Sequence, residues 1–264
     1  MRKRRLRTIV APFTVAAPAG ARIRDRLRVT AEEAAVLRLV GDHLGHQQRA
    51  DLAERVSLGK VKAKDNQRAG RKKKLTALSS SRWAGTMTRA SEDQYQLSVR
   101  VLFDERAGLR RAIHAITKRL AAPCGQRAGT VRGYPGQAER WQKQRRLQVL
   151  TARLAAVETR IETGRPSIVV GGRRLAKVRH NLDKAQLTEG QWRQRWDAER
   201  RFLTADGESG APHGNYTITA DPGTGEVSMV LPTPLRYLAN APEAGTSSRA
   251  PWASLTGGRN GRTG

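Results

Sequence analysis

The chain of 264 residues has few cysteines, few aromatic side chains and no long apolar run, and two of these shortages exclude classes of protein. Its single cysteine, Cys124, excludes an internal disulfide and any zinc site built from Cys-x-x-Cys pairs. No run approaches the ~20 apolar residues of a membrane-spanning helix. Pro12 and Pro18 interrupt the apolar stretch near the basic N-terminus, so it does not resemble a signal peptide. The sequence therefore predicts a cytoplasmic protein without a membrane partner.

Acidic residues are also scarce. The chain has 50 Lys and Arg against 23 Asp and Glu, which gives a net charge of +27. Residues 207–264 contain four basic and four acidic residues, so the whole excess lies in residues 1–206. A charge of this size is typical of proteins that bind nucleic acid. We expect the partner to be nucleic acid and the protein to be associated with the nucleoid.

Signatures of catalysis are missing from the sequence. It has no phosphate-binding loop, nucleophile elbow or dinucleotide fingerprint. Its carboxylates do not fall on strand ends, where a metal-dependent nuclease would collect them. His43 and His46 are three residues apart but have no third ligand nearby, and Cys124 has no evident partner. We predict no catalytic residue, no metal and no cofactor.

Hydrophobic periodicity predicts a helical middle of the chain that follows a short strand at residues 7–16. Thr30 and Glu33 have the spacing of a capping box, so a helix is expected to begin there. A further helix is expected over residues 91–121. The apolar repeat of the next helix predicts an antiparallel or coiled helix pair, which Gly164 ends. That repeat consists of Leu147, Leu150, Leu154, Val157 and Ile161.

The last third of the chain has a strand pattern. Residues 166–170 resemble a strand, and residues 216–231 alternate apolar and polar side chains around the turn sequence "DPGTG". This pattern predicts an antiparallel hairpin. Residues 241–264 lack a periodic core and are predicted to be a disordered tail.

The order of these features resembles the N-terminal half of the TnpB-like proteins. These are accessory proteins of insertion-sequence transposons and relatives of the type V CRISPR effectors. The likeness rests on the first strand, the basic helical stretch, and the segments "IVVGGRRLAKVRHNL", "WRQRWDAERRFL" and "GNYTITADPGTGEVSMVLPTP". It covers about residues 7–238. The RuvC-like nuclease half of the family, with its three acidic residues and four-cysteine zinc ribbon, has no counterpart in this sequence.

The resemblance implies an α+β fold with a small β-barrel of the wedge type. Residues 1–28 would supply the first barrel strand and a basic N-terminus, residues 29–165 an inserted helical recognition lobe, and residues 166–240 the rest of the barrel. The resemblance also implies binding of a structured guide RNA and of the DNA target that pairs with it. The family activity is RNA-guided DNA cleavage, so a separate nuclease chain is a further expected partner.

The predicted nucleic-acid-binding residues form three groups. The first lies beside the N-terminal strand, the second between residues 60 and 74, and the third after Gly171 and Gly172, where the resemblance is best. The set is Arg4, Arg5, Lys60, Lys62, Lys64, Arg71, Lys72, Lys73, Lys74, Arg173, Arg174, Lys177, Arg193, Arg195, Arg200 and Arg201. Within the third group we expect Trp192 and Trp196 to be buried and the arginines to be exposed.

Three other interpretations remain open. The chain would be a general RNA-binding or DNA-binding protein if its affinity came from charge alone. It would be a truncated transposase fragment without a function of its own if the transposon gene were decaying. An enzyme of unrecognised type would depend on Cys124 or on the pair His43 and His46.

Overall fold

A computed structural model describes residues 27–62, 65–207, 215–221 and 224–240, and the backbone of residues 252–256. The strand predicted at residues 7–16 lies outside these ranges. The helices are α1 (Ala31–Ser57), α2 (Arg68–Leu78), α3 (Ser81–Ala121), α4 (Gln137–Thr163), α5 (Arg173–Val178) and α6 (Glu189–Ala198). The strands are β1 (Arg127–Ala128), β2 (Val131–Arg132), β3 (Ile218–Ala220), β4 (Glu226–Val230) and β5 (Trp252–Thr256).

Local capping sets the helix boundaries. The capping box predicted for α1 is present: the Thr30 hydroxyl accepts from the Glu33 amide at 3.2 Å, and the Glu33 carboxylate accepts from the Thr30 amide at 2.7 Å. Helix α3 begins ten residues earlier than predicted because the Ser80 hydroxyl accepts from the Trp83 amide at 3.3 Å. Helix α4 ends at Gly164, as predicted, in a left-handed conformation with φ of 66°.

The main core lies between α1, α2, the first turns of α3 and the β3–β4 hairpin. We call these four elements together the bundle. The predicted face of α1 contributes Val40 and Leu44, both fully buried. Trp83 of α3 donates its indole N–H to the Val230 carbonyl at 2.8 Å, so the hairpin is fixed to a helix. The buried members of this core are Val40, Leu44, Leu75, Trp83, Ala84, Met87, Met229 and Leu231.

The predicted hairpin is confirmed, but the predicted β-barrel is wrong. Strands β3 and β4 pair antiparallel, with Ile218 opposite Met229. The described strands form only two small antiparallel sheets, β1–β2 and β3–β4–β5, and the fold is mostly helical. Residues 166–169 belong to no helix or strand, Val170 begins a turn, and α5 follows, so the strand predicted at residues 166–170 is not formed. Alternation identified the buried face of β4, but that face packs on Trp83 and α1 instead of on a second sheet.

The segment 241–264, predicted to be a disordered tail, lies outside the described residues except for β5. The backbone of β5 pairs antiparallel with β4, and Trp252 lies opposite Val230.

Helices α3 and α4 form an antiparallel pair, as the apolar repeat predicted. At the loop end, Arg140 donates to the Ala122 carbonyl at 3.0 Å, and at the other end the Tyr95 hydroxyl donates to the Gly164 carbonyl at 2.9 Å. The seam between the helices buries Leu102, Leu109 and Val157, against which Leu150, Leu154 and Ile161 pack. Helix α3 has 41 residues, about 60 Å at a rise of 1.5 Å per residue, so it extends from the bundle to the loop end of the pair.

Candidate nucleic-acid interface

Arg71, predicted to bind nucleic acid, is enclosed within the bundle. Its side chain is 0% exposed, and Nη1 donates to the Asp51 carboxylate at 2.7 Å. Arg55 pairs with Glu92 at 2.6 Å, and Arg71 Nη2 lies 3.8 Å from the same carboxylate. These four side chains connect α1, α2 and α3. Arg71 therefore does not reach solvent and is not available to a phosphate backbone, which corrects its place in the predicted set.

The two acids of this network differ electrostatically. Burial raises the pKa of Asp51, against the opposing effects of the Ser91 hydroxyl and the Arg71 charge. Burial would also raise the pKa of Glu92, but hydrogen bonds from Arg55 and Gln96, with the charges of Arg55 and Arg71, lower it instead. The free energy of unfolding should thus depend on the two acids with opposite signs as the pH falls.

The lysines between residues 60 and 74 lie on the surface. Lys60 and Lys62 are exposed in the loop after α1, and Lys72, Lys73 and Lys74 are exposed on α2. Lys74 pairs with Glu54 at 2.8 Å, so its charge is partly compensated. Lys64, Arg4 and Arg5 lie outside the described residues. Four of the lysines are therefore exposed cations with no ion pair among the described residues.

The third predicted group lies on a unit of two short helices, α5 and α6. Trp192 is buried, as predicted, and its indole N–H donates to the Leu175 carbonyl at 2.9 Å. Trp196 is half-buried and stacks on Trp192, with ring centroids 5.7 Å apart. The unit exposes five of the predicted cations, which are Arg173, Arg174, Lys177, Arg193 and Arg195.

Arg200 and Arg201 have a different place from the other arginines of their group. Both are half-buried and attach the α5–α6 unit to α1: Arg49 donates to the Arg200 carbonyl at 2.6 Å, and Arg201 donates to the Asp42 carboxylate at 2.9 Å. A side chain at Gly45 would lie 2.3 Å from the Arg200 carbonyl, so this contact requires glycine. Burial, together with the Arg200 charge, lowers the pKa of Arg49. The Arg200 backbone carbonyl and the Arg201 side chain therefore join the α5–α6 unit to α1, and both half-buried side chains are less accessible to a partner than the exposed arginines of their group.

A further cationic surface among the described residues was not predicted from the sequence. We call residues 106–153, which comprise the outer parts of α3 and α4 and their connecting loop, the distal arm. It contains twelve Lys and Arg but a single acidic residue, Glu139. Nine of the twelve are exposed: Arg110, Arg111, Lys118, Arg119, Arg127, Arg132, Arg145, Arg146 and Arg153. The basic residues of the distal arm do not form a continuous run in the sequence. The near absence of acidic residues over residues 106–153 could nevertheless have indicated this surface.

The charges of the distal arm are only partly compensated. At its inner end Arg110 pairs with Glu158 at 2.6 Å, and Arg153 pairs with Glu105. Within the described ranges, six of the nine exposed side chains make no hydrogen bond or ion pair. Arg145 contacts the ring of Trp141, and the other five are Arg111, Lys118, Arg127, Arg132 and Arg146. Near the loop, Tyr134 is buried beside Arg119, whose guanidinium lies 4.1 Å from the ring centroid. The distal arm thus presents exposed and uncompensated cations on the outer faces of a helix pair.

The other residues considered for chemistry show no metal centre. His43 Nε2 lies 2.9 Å from the Leu78 carbonyl, and Cys124 is half-buried at the loop end of the arm. Across the part of the chain that the structure describes, no three His, Cys, Asp or Glu side chains form a group suited to a metal ion. None of the described helices combines the length and apolar character needed to cross a membrane. No family model, curated protein or solved structure matches this chain.

Proposed function

We propose that this chain binds nucleic acid, chiefly through contacts between phosphates and the cations of the distal arm. The proposal rests on the imbalance of twelve basic residues to one acidic residue over residues 106–153. An ordinary solvated helix face alternates charges of both signs, whereas a phosphate-binding face needs cations without neighbouring carboxylates. The apolar seam of α3 and α4 faces inward, so the arginines and lysines occupy the outer faces of the pair.

Two further surfaces add to the positive field. The α5–α6 unit exposes five of the predicted cations, and the loop after α1 with the face of α2 exposes Lys60, Lys62, Lys72 and Lys73. Because their side chains are on the surface, these residues can approach phosphates without unfolding the bundle. Such contacts fix the position of a nucleic acid and do not read its sequence.

A narrower proposal concerns the identity of the ligand. We propose that it is a structured transposon RNA that pairs with a DNA target, with cleavage supplied by a separate nuclease chain. This proposal depends on the likeness of three sequence segments to TnpB-like proteins. The wedge barrel is not part of it, because the described strands do not close a barrel.

The test of the general proposal is the salt dependence of binding. The variant with Arg111, Lys118, Arg127, Arg132 and Arg146 changed to Gln should retain its helical circular dichroism. If all five contact phosphates, the slope of log affinity against log salt should fall by about 3.5 to 4.5, since each contact contributes ~0.7 to 0.9. A matched variant at Lys72, Lys73, Arg173, Arg174 and Arg193 measures the share of the other surfaces. A wild-type slope near zero would refute the proposal.

The test of the narrower proposal is to purify the protein from cells that carry its native locus and to sequence the RNA bound to it. One enriched transcript from the flanking transposon end would support a guide-binding role. A mixture of ribosomal and messenger fragments would favour a general nucleic-acid-binding protein.

A further inference from the structure

One tryptophan differs from the others that the structure describes. Trp83 and Trp192 are buried and donate their indole N–H groups to carbonyls, and Trp196 is half-buried on Trp192. Trp141, in the first turns of α4, has 57% of its surface exposed. Its indole N–H makes no hydrogen bond within the described ranges. Core packing therefore does not explain why a tryptophan occupies this position.

The surroundings of Trp141 are cationic. The guanidinium of Arg145, one turn later, lies over the ring at 4.8 Å from its centroid. The nearest acid in sequence, Glu139, is already engaged by Lys143 at 3.8 Å. An exposed indole beside arginine can stack a nucleobase while the guanidinium meets the adjoining phosphate.

A protein-binding patch fits this surface less well. Val149, about two turns further along α4, is exposed, but the residues around Trp141 on α4 are mostly glutamine, arginine and lysine. An interface core is depleted in charge and usually forms a contiguous apolar patch. Here a single ring lies in a polar and basic surface, which favours a ligand that is itself both flat and anionic.

We propose that Trp141 is a stacking platform for an unpaired nucleobase of a single-stranded RNA or DNA segment held by the distal arm. This inference rests on the proposed function, because the phosphates of the strand must be bound beside the ring. A fully paired duplex shields the faces of its bases, so it gains nothing from the indole except at its ends. Trp141 therefore favours unpaired over paired nucleic acid, while the other arm cations bind both.

The test compares three ligands on the full chain: a single-stranded oligouridylate, a single-stranded oligothymidylate, and a blunt duplex long enough for its ends to be a small share of the sites. Trp141→Ala should weaken single-strand binding about tenfold, within the range measured for one stacked base. Duplex affinity should change less than about twofold. Trp141→Phe should retain most of the single-strand affinity, because an aromatic face remains. Val149→Ala is the matched control and should change neither affinity.

Fluorescence gives a second readout. Binding of the single strand should quench tryptophan emission in the wild type, and the quenching should be smaller in Trp141→Phe. An unchanged single-strand affinity in Trp141→Ala, or equal losses for single strand and duplex, would overturn the inference. If the wild type shows salt-sensitive binding while Trp141→Ala matches it, only this inference fails. If the wild type binds no ligand in a salt-sensitive way, the proposed function fails. The two single strands distinguish RNA from DNA as the source of the base.

Discussion

The bundle and the distal arm use arginine in opposite ways. In the bundle, Arg55 and Arg71 are buried and surrounded by Asp51, Glu92 and backbone carbonyls. In the distal arm, nine exposed arginines and lysines accompany one acid, and six of the nine have no hydrogen bond or ion pair in the described structure. The same side chain thus stabilises one region and is left for a partner in the other. The supply of nearby carboxylates, and not the number of arginines, decides between the two roles.

The largest effect on stability should come from Arg71→Ala. It leaves the Asp51 carboxylate buried without its counter-charge, and breaking such a pair costs about 3 to 5 kcal/mol. Urea unfolding followed by circular dichroism measures the loss. Lys72→Ala, at the next and exposed position of α2, is the control and should stay within about 0.5 kcal/mol of the wild type. A loss below about 1 kcal/mol in Arg71→Ala would contradict the role given to the buried pair.

The second largest effect on stability should come from a substitution at the junction between the bundle and the helix pair. The Tyr95 hydroxyl lies 3.0 Å from the Gly59 carbonyl and 2.9 Å from the Gly164 carbonyl, so it joins the end of α1 to the end of α4. Tyr95→Phe should lower the free energy of unfolding by about 1 to 3 kcal/mol, because the buried Gly164 carbonyl loses its donor, whereas the Gly59 carbonyl still accepts from Arg55. Tyr237→Phe removes a hydroxyl from a ring that is 77% exposed and should have almost no effect. Equal effects of the two variants would refute this account of the junction.

The acid response of the bundle should give a smaller effect. The pKa of Glu92 in the folded protein lies below its ordinary value of 4.5, so its stabilising contribution is present above pH 4.5 and is lost as the pH falls through the lowered value. The raised pKa of Asp51 has the opposite sign: its stabilising contribution is present below the ordinary value of 3.8 and is lost as the pH rises through the raised value.

Glu92→Gln isolates the first of these contributions. The difference in free energy of unfolding between the wild type and this variant should be largest near pH 7 and should shrink below pH 4.5. Urea titrations at several pH values measure it, and Asp51→Asn serves as the comparison of opposite sign. A difference that does not vary with pH would show that Glu92 does not carry the acid dependence.

Local features of the fold were predictable from the sequence because they depend on neighbouring residues. The capping box at Thr30, the helix end at Gly164 and the hairpin around residues 221–225 are all present. The partner of the hairpin was not predictable, since alternation marks a buried face but not what covers it. In the same way, the run from Lys60 to Lys74 did not reveal that Arg71 faces Asp51, which lies twenty residues away in the sequence.

The distal arm escaped prediction for a related reason. Its cations are spread singly along two helices, and their density becomes apparent only when α3 and α4 pair. The third predicted group was easier to identify, because Arg193 and Arg195 flank tryptophans whose burial fixes the outward direction of their neighbours. The exposure of Arg193 and Arg195 could therefore be predicted because one helix contains both the buried tryptophans and the charge, whereas the cationic surface of the distal arm depends on the pairing of two elements distant in sequence.

The smallest expected effect on stability comes from two adjacent arginines of α3, one with an ion pair and one without. Arg110 pairs with Glu158 at 2.6 Å, whereas Arg111 makes no ion pair in the described structure. Arg111→Gln should leave the free energy of unfolding within about 0.5 kcal/mol of the wild type and lower the salt slope of nucleic-acid binding by about 0.7 to 0.9. Arg110→Gln should cost up to about 1 kcal/mol of stability and change the slope less, because Glu158 already compensates its charge. Equal changes in slope would mean that ion pairing inside the arm does not determine which cations meet phosphate.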